Sequence, residues 1–331
     1  MDLLQLLTNK DKLDYSENYN YDNNFIGTRL FPQEKTNNLK VSIARLVENG
    51  SVPVMAQFHA LDSEARIGDR TNYKEIEVEK LLIKEKLNQG ERIAYYLNGV
   101  TDNDTVRDFI FDDANNLVSR VLTRAELANM QLMGYGRLEV NENNFKAVID
   151  YGMPETNKLA VTGWSNAEHD IIGDLNKIKA QAKTKGKTID KALTSSKVLG
   201  YMLKNTSIVN YLAKLNLIAS ETTLLDMLQS VFGIAFEVND DVYKENANSK
   251  EVKRFYPEDK ISFFGGTQSF GKGLYTNTPS ELFGEVESSK GYVVINMWKS
   301  QDPAGIWTKA EAVYIPVPRD IEGLFIVTVG A

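Results

Sequence analysis

The residues most suggestive of chemistry are Gly266-Thr267-Gln268-Ser269-Phe270-Gly271-Lys272-Gly273, a near match to the phosphate-binding pattern G-x-x-x-x-G-K-[ST]. In that pattern backbone N–H groups cradle phosphates, the lysine reaches the outer ones, and a final hydroxyl ligates magnesium. Gly273 has no hydroxyl, and Leu-Tyr-Thr-Asn-Thr-Pro279-Ser-Glu follows where a helix should present its N-terminus. The expected role is a glycine-rich connector after the strand Ile261-Ser-Phe-Phe264. His59 and His169 are the only histidines, and neither has a partner at metal-ligand spacing. Asp240 and Asp241 follow Asn239 without the glycine and spaced carboxylates of a calcium loop, so they are expected to form a turn. The lysines between Lys177 and Lys191 read as a solvated face, with contact to DNA or to an assembly partner as the functional reading. No cofactor, metal site or catalytic constellation is expected, and the chain is not expected to be an enzyme.

Composition narrows the class further. With 331 residues, 42% hydrophobic and 25% charged, the chain can bury a large core and has room for two domains. A net charge of −7 argues against sequence-independent DNA binding, which depends on Lys and Arg neutralising phosphates. Cysteine is absent, which excludes disulfides, thiolate nucleophiles and Cys-based zinc sites. The start, Met1 to Asp14, lacks the basic segment, long apolar stretch and small-residue site of a signal peptide, and no run is long enough to span a bilayer.

The elements that must position these residues are organised around 102–133. Val106, Ile110, Ala114, Leu117, Val121, Ala125, Ala128 and Leu132 recur at steps of three or four and predict one amphipathic helix about 45 Å long. Asp102 and Asp104 supply N-cap chemistry, Gly134 offers the left-handed stop, and Arg107, Asp112, Asp113, Arg120, Arg124 and Glu126 make the solvated back. Residues 1–24 become polar and tyrosine-rich and predict an arm, whose Tyr15, Tyr19 and Tyr21 are candidates to lie against a neighbouring subunit. Residues 39–46 and 52–60 read as strands joined by the tight-turn pair Asn49-Gly50. Residues 61–87 are dense in charge, with Glu75, Glu77 and Glu79 alternating with Ile76 and Val78. They predict a two-stranded excursion that needs a partner surface for stability.

Behind the long helix, Leu138 and Val140, then Phe145, Ala147 and Ile149, alternate on either side of an Asn-Glu-Asn-Asn turn. A helix is expected from Asp170, a strand then a Ser195-capped helix after Thr188, and a second capped helix from Ser220 leading to a strand through Ile234, Phe236 and Val238. The long helix running into Leu132-Met-Gly-Tyr-Gly136, the hairpin with Phe145, then Ile149-Asp-Tyr-Gly-Met-Pro154 and Trp164 before an acidic helix start resemble the capsid protein E family, the major capsid proteins of lambda-like tailed phages. The stretch 255–281 and the closing Val317-Pro318 and Leu324 to Val329 are similar to the family's later motifs.

The resemblance implies an α+β, Hong-Kong-97-like capsid fold with an N-terminal arm (1–28), a peripheral domain begun by 29–60, an extended loop (61–87), a further peripheral part with the spine helix (88–164), an axial domain (165–285) and closing peripheral strands (286–331). It implies a shell built from hexamers and pentamers around double-stranded phage DNA, located in the virion and assembled in the host cytoplasm. Partners would be other copies of the chain, a portal, a separate scaffold protein if any, and a cement protein if present, with no membrane. Glu64, Arg66, Asp69, Arg70 and Lys74 are the candidate inter-subunit charges on the loop. Rival readings are the shell of an encapsulin-type nanocompartment, a tail or connector protein, and an α/β enzyme, the last disfavoured by the missing catalytic constellation.

Overall fold

A computed structural model describes residues 25–46, 51–56, 67, 73–90, 103–266, 269–286, 291–302 and 304–330. In chain order the elements are α1 (Ile26–Leu30), β1 (Gln33–Lys35), β2 (Lys40–Leu46), β3 (Tyr73–Glu79), β4 (Leu81–Gly90), α2 (Asn103–Tyr135), β5 (Arg137–Glu142), β6 (Phe145–Asp150), β7 (Lys158–Val161), α3 (Ile171–Thr184), β8 (Lys191–Thr194), α4 (Ser196–Lys204), α5 (Thr206–Lys214) and α6 (Glu221–Met227). A π-helical turn (Leu228–Phe232) follows, then β9 (Ala235–Val238), β10 (Val242–Tyr243), β11 (Lys253–Arg254), β12 (Lys260–Phe264), β13 (Gly271–Thr276), α7 (Pro279–Leu282), β14 (Val294–Gln301), β15 (Ala304–Pro318) and β16 (Phe325–Val329). These residues fall into two compact units, one within 1–41, 78–129 and 271–317, the other within 42–77, 130–270 and 318–331.

The first unit is built on a sheet ordered β1-β13-β15-β14, with β4 also paired to β15. β15 is the long member, and it pairs antiparallel with β14 (Trp298 opposite Trp307) and with β4 (Trp307 opposite Asn88). The even positions Thr308, Ala310 and Ala312 are fully buried, as are Ala114, Leu117 and Val121 of α2. Small residues on β15 leave room for the helix to approach the sheet.

The second unit holds a mixed sheet ordered β7-β16-β12-β8-β9, flanked by α3 to α6. Its helices start where local chemistry says they should. Asp170 accepts from Gly173 N–H, Ser195 from Val198 N–H and Asn205 from Ile208 N–H, while Ser220 and Thr223 form a reciprocal capping box. The apolar sides of these helices, including Ile171, Leu175, Met202 and Leu212, bury against Phe263 and Phe325 of the sheet.

The long helix forms close to its expected span, but it ends differently. Gly134 remains helical, because a Cβ there would lie 2.8 Å from Pro257 Cδ, and the left-handed residue is Gly136 at φ 69°. The last turn is capped from β12: Lys260 Nζ donates to the Gly134 carbonyl at 3.0 Å and Ser262 Oγ to that of Met133 at 2.6 Å. A cation there also complements the negative end of the helix dipole. Glu126 is the second correction, since it is 1% exposed rather than part of a solvated back.

The strand pairing expected near the N-terminus also changes. Residues 51–56 form a turn and coil, and β2 pairs with β3. Asn49-Gly50 and 57–60 lie outside the described residues. The predicted excursion is shorter at its far end, because 81–90 are a strand of the first unit's sheet. β3 keeps the expected alternation, with Val78 buried between exposed Glu77 and Glu79. The β5–β6 hairpin turns on Asn143 and Asn144 alone, at φ 48° and 63°, with Glu142 opposite Phe145. Two successive left-handed residues give the twist that a two-residue hairpin needs.

Candidate assembly surfaces

The residues proposed for subunit contacts fall mostly outside what can be described. Tyr15, Tyr19, Tyr21, Glu64, Arg66, Asp69 and Arg70 lie outside the described residues, and Lys74 lies in β3 with its side chain undescribed.

The glycine-rich motif becomes strand. Gly271 to Thr276 form β13, with Gly273 opposite Gln33 of β1, and no helix begins there. Its glycines are needed for packing: a Cβ on Gly271 would lie 2.3 Å from the Val317 carbonyl oxygen, and one on Gly273 3.0 Å from that of Phe31. Lys272 Nζ pairs with Glu34 at 2.7 Å on the surface.

The Thr278-Pro-Ser-Glu281 motif is a clamp. Thr278 N–H donates to Glu281 Oε2 at 2.7 Å, and Lys35 holds Oε1 of the same carboxylate at 2.8 Å. Ser280 N–H donates to buried Glu311 at 2.8 Å, and Lys309 Nζ reaches Glu311 at 3.0 Å and Ser280 Oγ at 2.7 Å. Burial works against the charge on Glu311, but the bonds from Ser280 and Lys309 outweigh it and hold its carboxyl below the usual range. Ser280 Oγ and Asn296 Nδ2 both donate to Glu285, so the whole turn is pinned to β14 and β15. Beyond the clamp, Leu282 and Phe283 stand exposed.

In the second unit, His169 has a structural partner. Its Nε2 lies 2.6 Å from Asp174 Oδ2, the same oxygen that accepts from the buried Trp164 indole at 3.2 Å. Asp240 acts in the 239–254 turn, accepting from Ser196 N–H at 3.2 Å and from Arg254 at 2.5 Å. Several of the lysines expected to face solvent have internal work. Lys179 donates to the Phe232 carbonyl, Lys185 to Asn157 at 2.5 Å, and Lys187 is buried and pairs with Asp320 at 2.7 Å. Among the described residues no group of His, Asp and Glu is placed to hold a metal ion, and no helix is long and apolar enough to cross a membrane.

Two surface features went unread in the sequence. Ile218 at the α5–α6 turn is 85% exposed, beside exposed Leu215 and Leu217. The other is on the face of the first unit's sheet opposite α2. Glu85 and Gln89 of β4 point to the helix, bonding Arg120 at 2.5 Å and Asp113 at 2.9 Å, so Lys84, Lys86 and Asn88 point away. On that outer face Trp298 and Trp307 stack with centroids 6.4 Å apart, and Lys86 Nζ lies 4.3 Å above the Trp307 ring. Lys309 Nζ lies 5.9 Å from the Trp298 ring. A signal existed: the two tryptophans are equidistant from Asp302-Pro303, as a hairpin would require to pair them.

The fold is shared with solved capsid structures. A protein described as a prophage capsid protein from Escherichia coli CFT073 superposes with a TM-score of 0.61 at 15% identity, covering 99% of this chain and 96% of that one. A phage-related protein from Bordetella bronchiseptica RB50 gives 0.58 at 12% identity, with 96% and 95% covered. The capsid of Myoviridae phage XM1 gives 0.51 at 11% identity, also with 96% and 95% covered. The architecture is therefore the Hong-Kong-97-like capsid fold. Residues 13–329 match the family described as Phage major capsid protein E, and the chain belongs to that family. It is a structural protein of the phage virion with a role in the capsid shell, not an enzyme. Comparison with curated protein sequences gave no match.

Proposed function

We propose that this chain is the main building block of a phage head, assembling as hexamers and pentamers into a closed icosahedral shell around double-stranded DNA. The observation that carries the reading is the family match over 13–329, nearly the whole chain. In this reading the expected arm (1–28) and extended loop (61–87) lie over adjacent subunits by their parts ahead of α1 and of β4, since Gly27 and 81–87 are built into the first unit. The first unit would be the peripheral domain expected at 29–60, 88–164 and 286–331, and the second the axial domain expected at 165–285, with β13 and α7 belonging to the first and β7 and β16 to the second. Such coverage buries area and pairs charges that a monomer leaves in water. Glu64, Arg66, Asp69, Arg70 and Lys74 are the loop charges, and Tyr15, Tyr19 and Tyr21 the arm's contacts. The exposed Leu215, Leu217 and Ile218 give the proposed axial domain an apolar surface of the kind that marks an interaction site. The DNA, a portal, a separate scaffold and a cement protein complete the partners, with assembly in the host cytoplasm.

The test is negative-stain microscopy of the purified protein at high concentration, alone and with the scaffold. Closed shells with fivefold and sixfold capsomers are expected. Rings, tubes or monomers throughout would refute the reading, as would shells that enclose an enzyme in place of nuclease-protected DNA in particles from the host. Glu64→Lys, Arg70→Glu or deletion of 62–75 should leave soluble subunits that fail to close.

A further inference from the structure

The tryptophan–lysine face of the first unit asks for a partner that is both aromatic and acidic. Trp298 and Trp307 are partly buried and stacked at an interplanar angle of 15°, and their strand neighbours Lys84, Lys86 and Asn88 are exposed. Lys309 is already engaged by Glu311 and Ser280. Among the described residues Lys84 and Lys86 have no carboxylate partner, although Lys86 sits over the Trp307 ring. Leu82, 41% exposed, extends the same face along β4. Flat aromatic rings with cations beside them bind other aromatic rings and carboxylates together, because stacking is strongest where water is excluded and the charges then pair at a reduced dielectric.

The same chain carries a segment with that chemistry. Residues 14–24, Asp-Tyr-Ser-Glu-Asn-Tyr-Asn-Tyr-Asp-Asn-Asn, hold three tyrosines and three carboxylates and no Lys or Arg. In an extended chain Tyr19 and Tyr21 would fall on one side about 7 Å apart, close to the spacing of the tryptophan pair. Segment 14–24 ends at Phe25, so when extended it reaches at most about 40 Å from that residue and Tyr19 about 20 Å, which confines it to a face packed close to α1. A single-stranded nucleic acid would also stack, but its affinity depends on many neutralised phosphates, and among the described residues this face offers only Lys84 and Lys86 without a carboxylate, on a protein of net charge −7.

We propose that the Trp298–Trp307 face, with Lys84 and Lys86, is the docking site for the acidic tyrosine segment 14–24 of another copy of this chain. The inference rests on the shell reading, and it names the surface that receives the arm.

The absence of cysteine allows a direct test with full-length protein. One copy carries Asn20→Cys and a second carries Asn88→Cys, which leaves every tyrosine, tryptophan and lysine in place. The two are mixed, assembled and oxidised, and the product is read on a non-reducing gel, with shells checked by microscopy in the same samples. A disulfide-linked pair of chains is expected, with Val148→Cys in place of Asn88→Cys giving none. Adding Lys84→Glu and Lys86→Glu to the receiving copy should cut the yield at least about tenfold, and raising the salt should lower it in the unreversed pair. Shells that form without the cross-link, or a yield unchanged by charge reversal, would each overturn the docking site. So would oligothymidylate quenching tryptophan fluorescence through this face at micromolar concentration while leaving the arm displaced. Failure to form shells at all would count instead against the shell reading.

Discussion

Replacing Gly27 by alanine tests how the first unit is closed around the long helix. The N–H of Gly27 donates to Glu126 Oε1 at 2.8 Å, and Asn129 Nδ2 donates to Oε2 at 3.3 Å, so both oxygens of a carboxyl group that is 1% exposed are used. Asn129 in turn accepts from the Tyr314 hydroxyl at 2.5 Å, which ties α1, α2 and β15 into one network. A Cβ on Gly27 would stand 2.1 Å from Glu126 Oε2 and 2.7 Å from Asn129 Cβ, neither of which is at the free end of a surface side chain. Overpacking of this kind costs about 1–3 kcal/mol. Moving α1 away also breaks the Gly27 bond to a buried carboxyl group, about 1.5–3 kcal/mol more. The stiffer unfolded chain returns about 0.4–1 kcal/mol. The expected net loss is about 2–5 kcal/mol, read from urea unfolding as a lower midpoint with an unchanged slope. Glu126→Ala removes the obstruction, so the pair Gly27→Ala and Glu126→Ala should cost less than the sum of the two alone by at least about 1 kcal/mol. Stability of Gly27→Ala within about 0.5 kcal/mol of the unaltered chain, or strict additivity, would refute the packing argument.

Three further outcomes follow from individual groups. Burial opposes the charge on Asp174, yet hydrogen bonds from His169, Trp164 and Lys177 win and hold its carboxyl below the ordinary value of 3.8. Its contribution is therefore present above that pH and lost as pH falls through the lower folded value. Asp174→Asn should cost about 1–3 kcal/mol at neutral pH and flatten the acid limb of a stability–pH curve. Lys80, 2% exposed, donates to Thr36 Oγ1 and the Asn38 carbonyl, both at 2.5 Å, and burial pushes its pKa down to about 8. The unfolded chain then holds the extra proton between about pH 8 and 10.5, so stability should rise with pH across that window and Lys80→Met should abolish the rise in thermal scans. At the hairpin, Asn144→Val forces a β-branched residue to φ 63° and should cost about 1–3 kcal/mol, while Asn144→Gly should be neutral or stabilising, both read by chemical denaturation.

What the sequence determined by itself was local. The caps at Asp170, Ser195 and Ser220, the asparagine turn at 143–144 and most of the long helix depend on residues within a few positions of one another. Short-range hydrogen bonds and side-chain periodicity are nearly the same in any fold, so they can be read without one. The family resemblance then supplied the order of elements. The choice of distant partners was made by the folded chain as a whole. The sequence pattern puts most of β4 at the end of an excursion, yet the strand joins β15, more than 200 residues later, through ten register pairs. Glu126 looks solvated on a helical wheel, but it is buried because Gly27, 99 positions away, needs an acceptor. The helix passes Gly134 and stops at Gly136 because Pro257 crowds the first, and Lys260 and Ser262 cap the last turn. The glycines of a phosphate-loop pattern prove to be clearance for Val317 and Phe31. The Trp298–Trp307 face exists only once β14, β15 and β4 are in register. Pairing energies between strands are similar for many registers. The choice among them is made by the whole core at once, and a sequence pattern of a few residues carries no record of it.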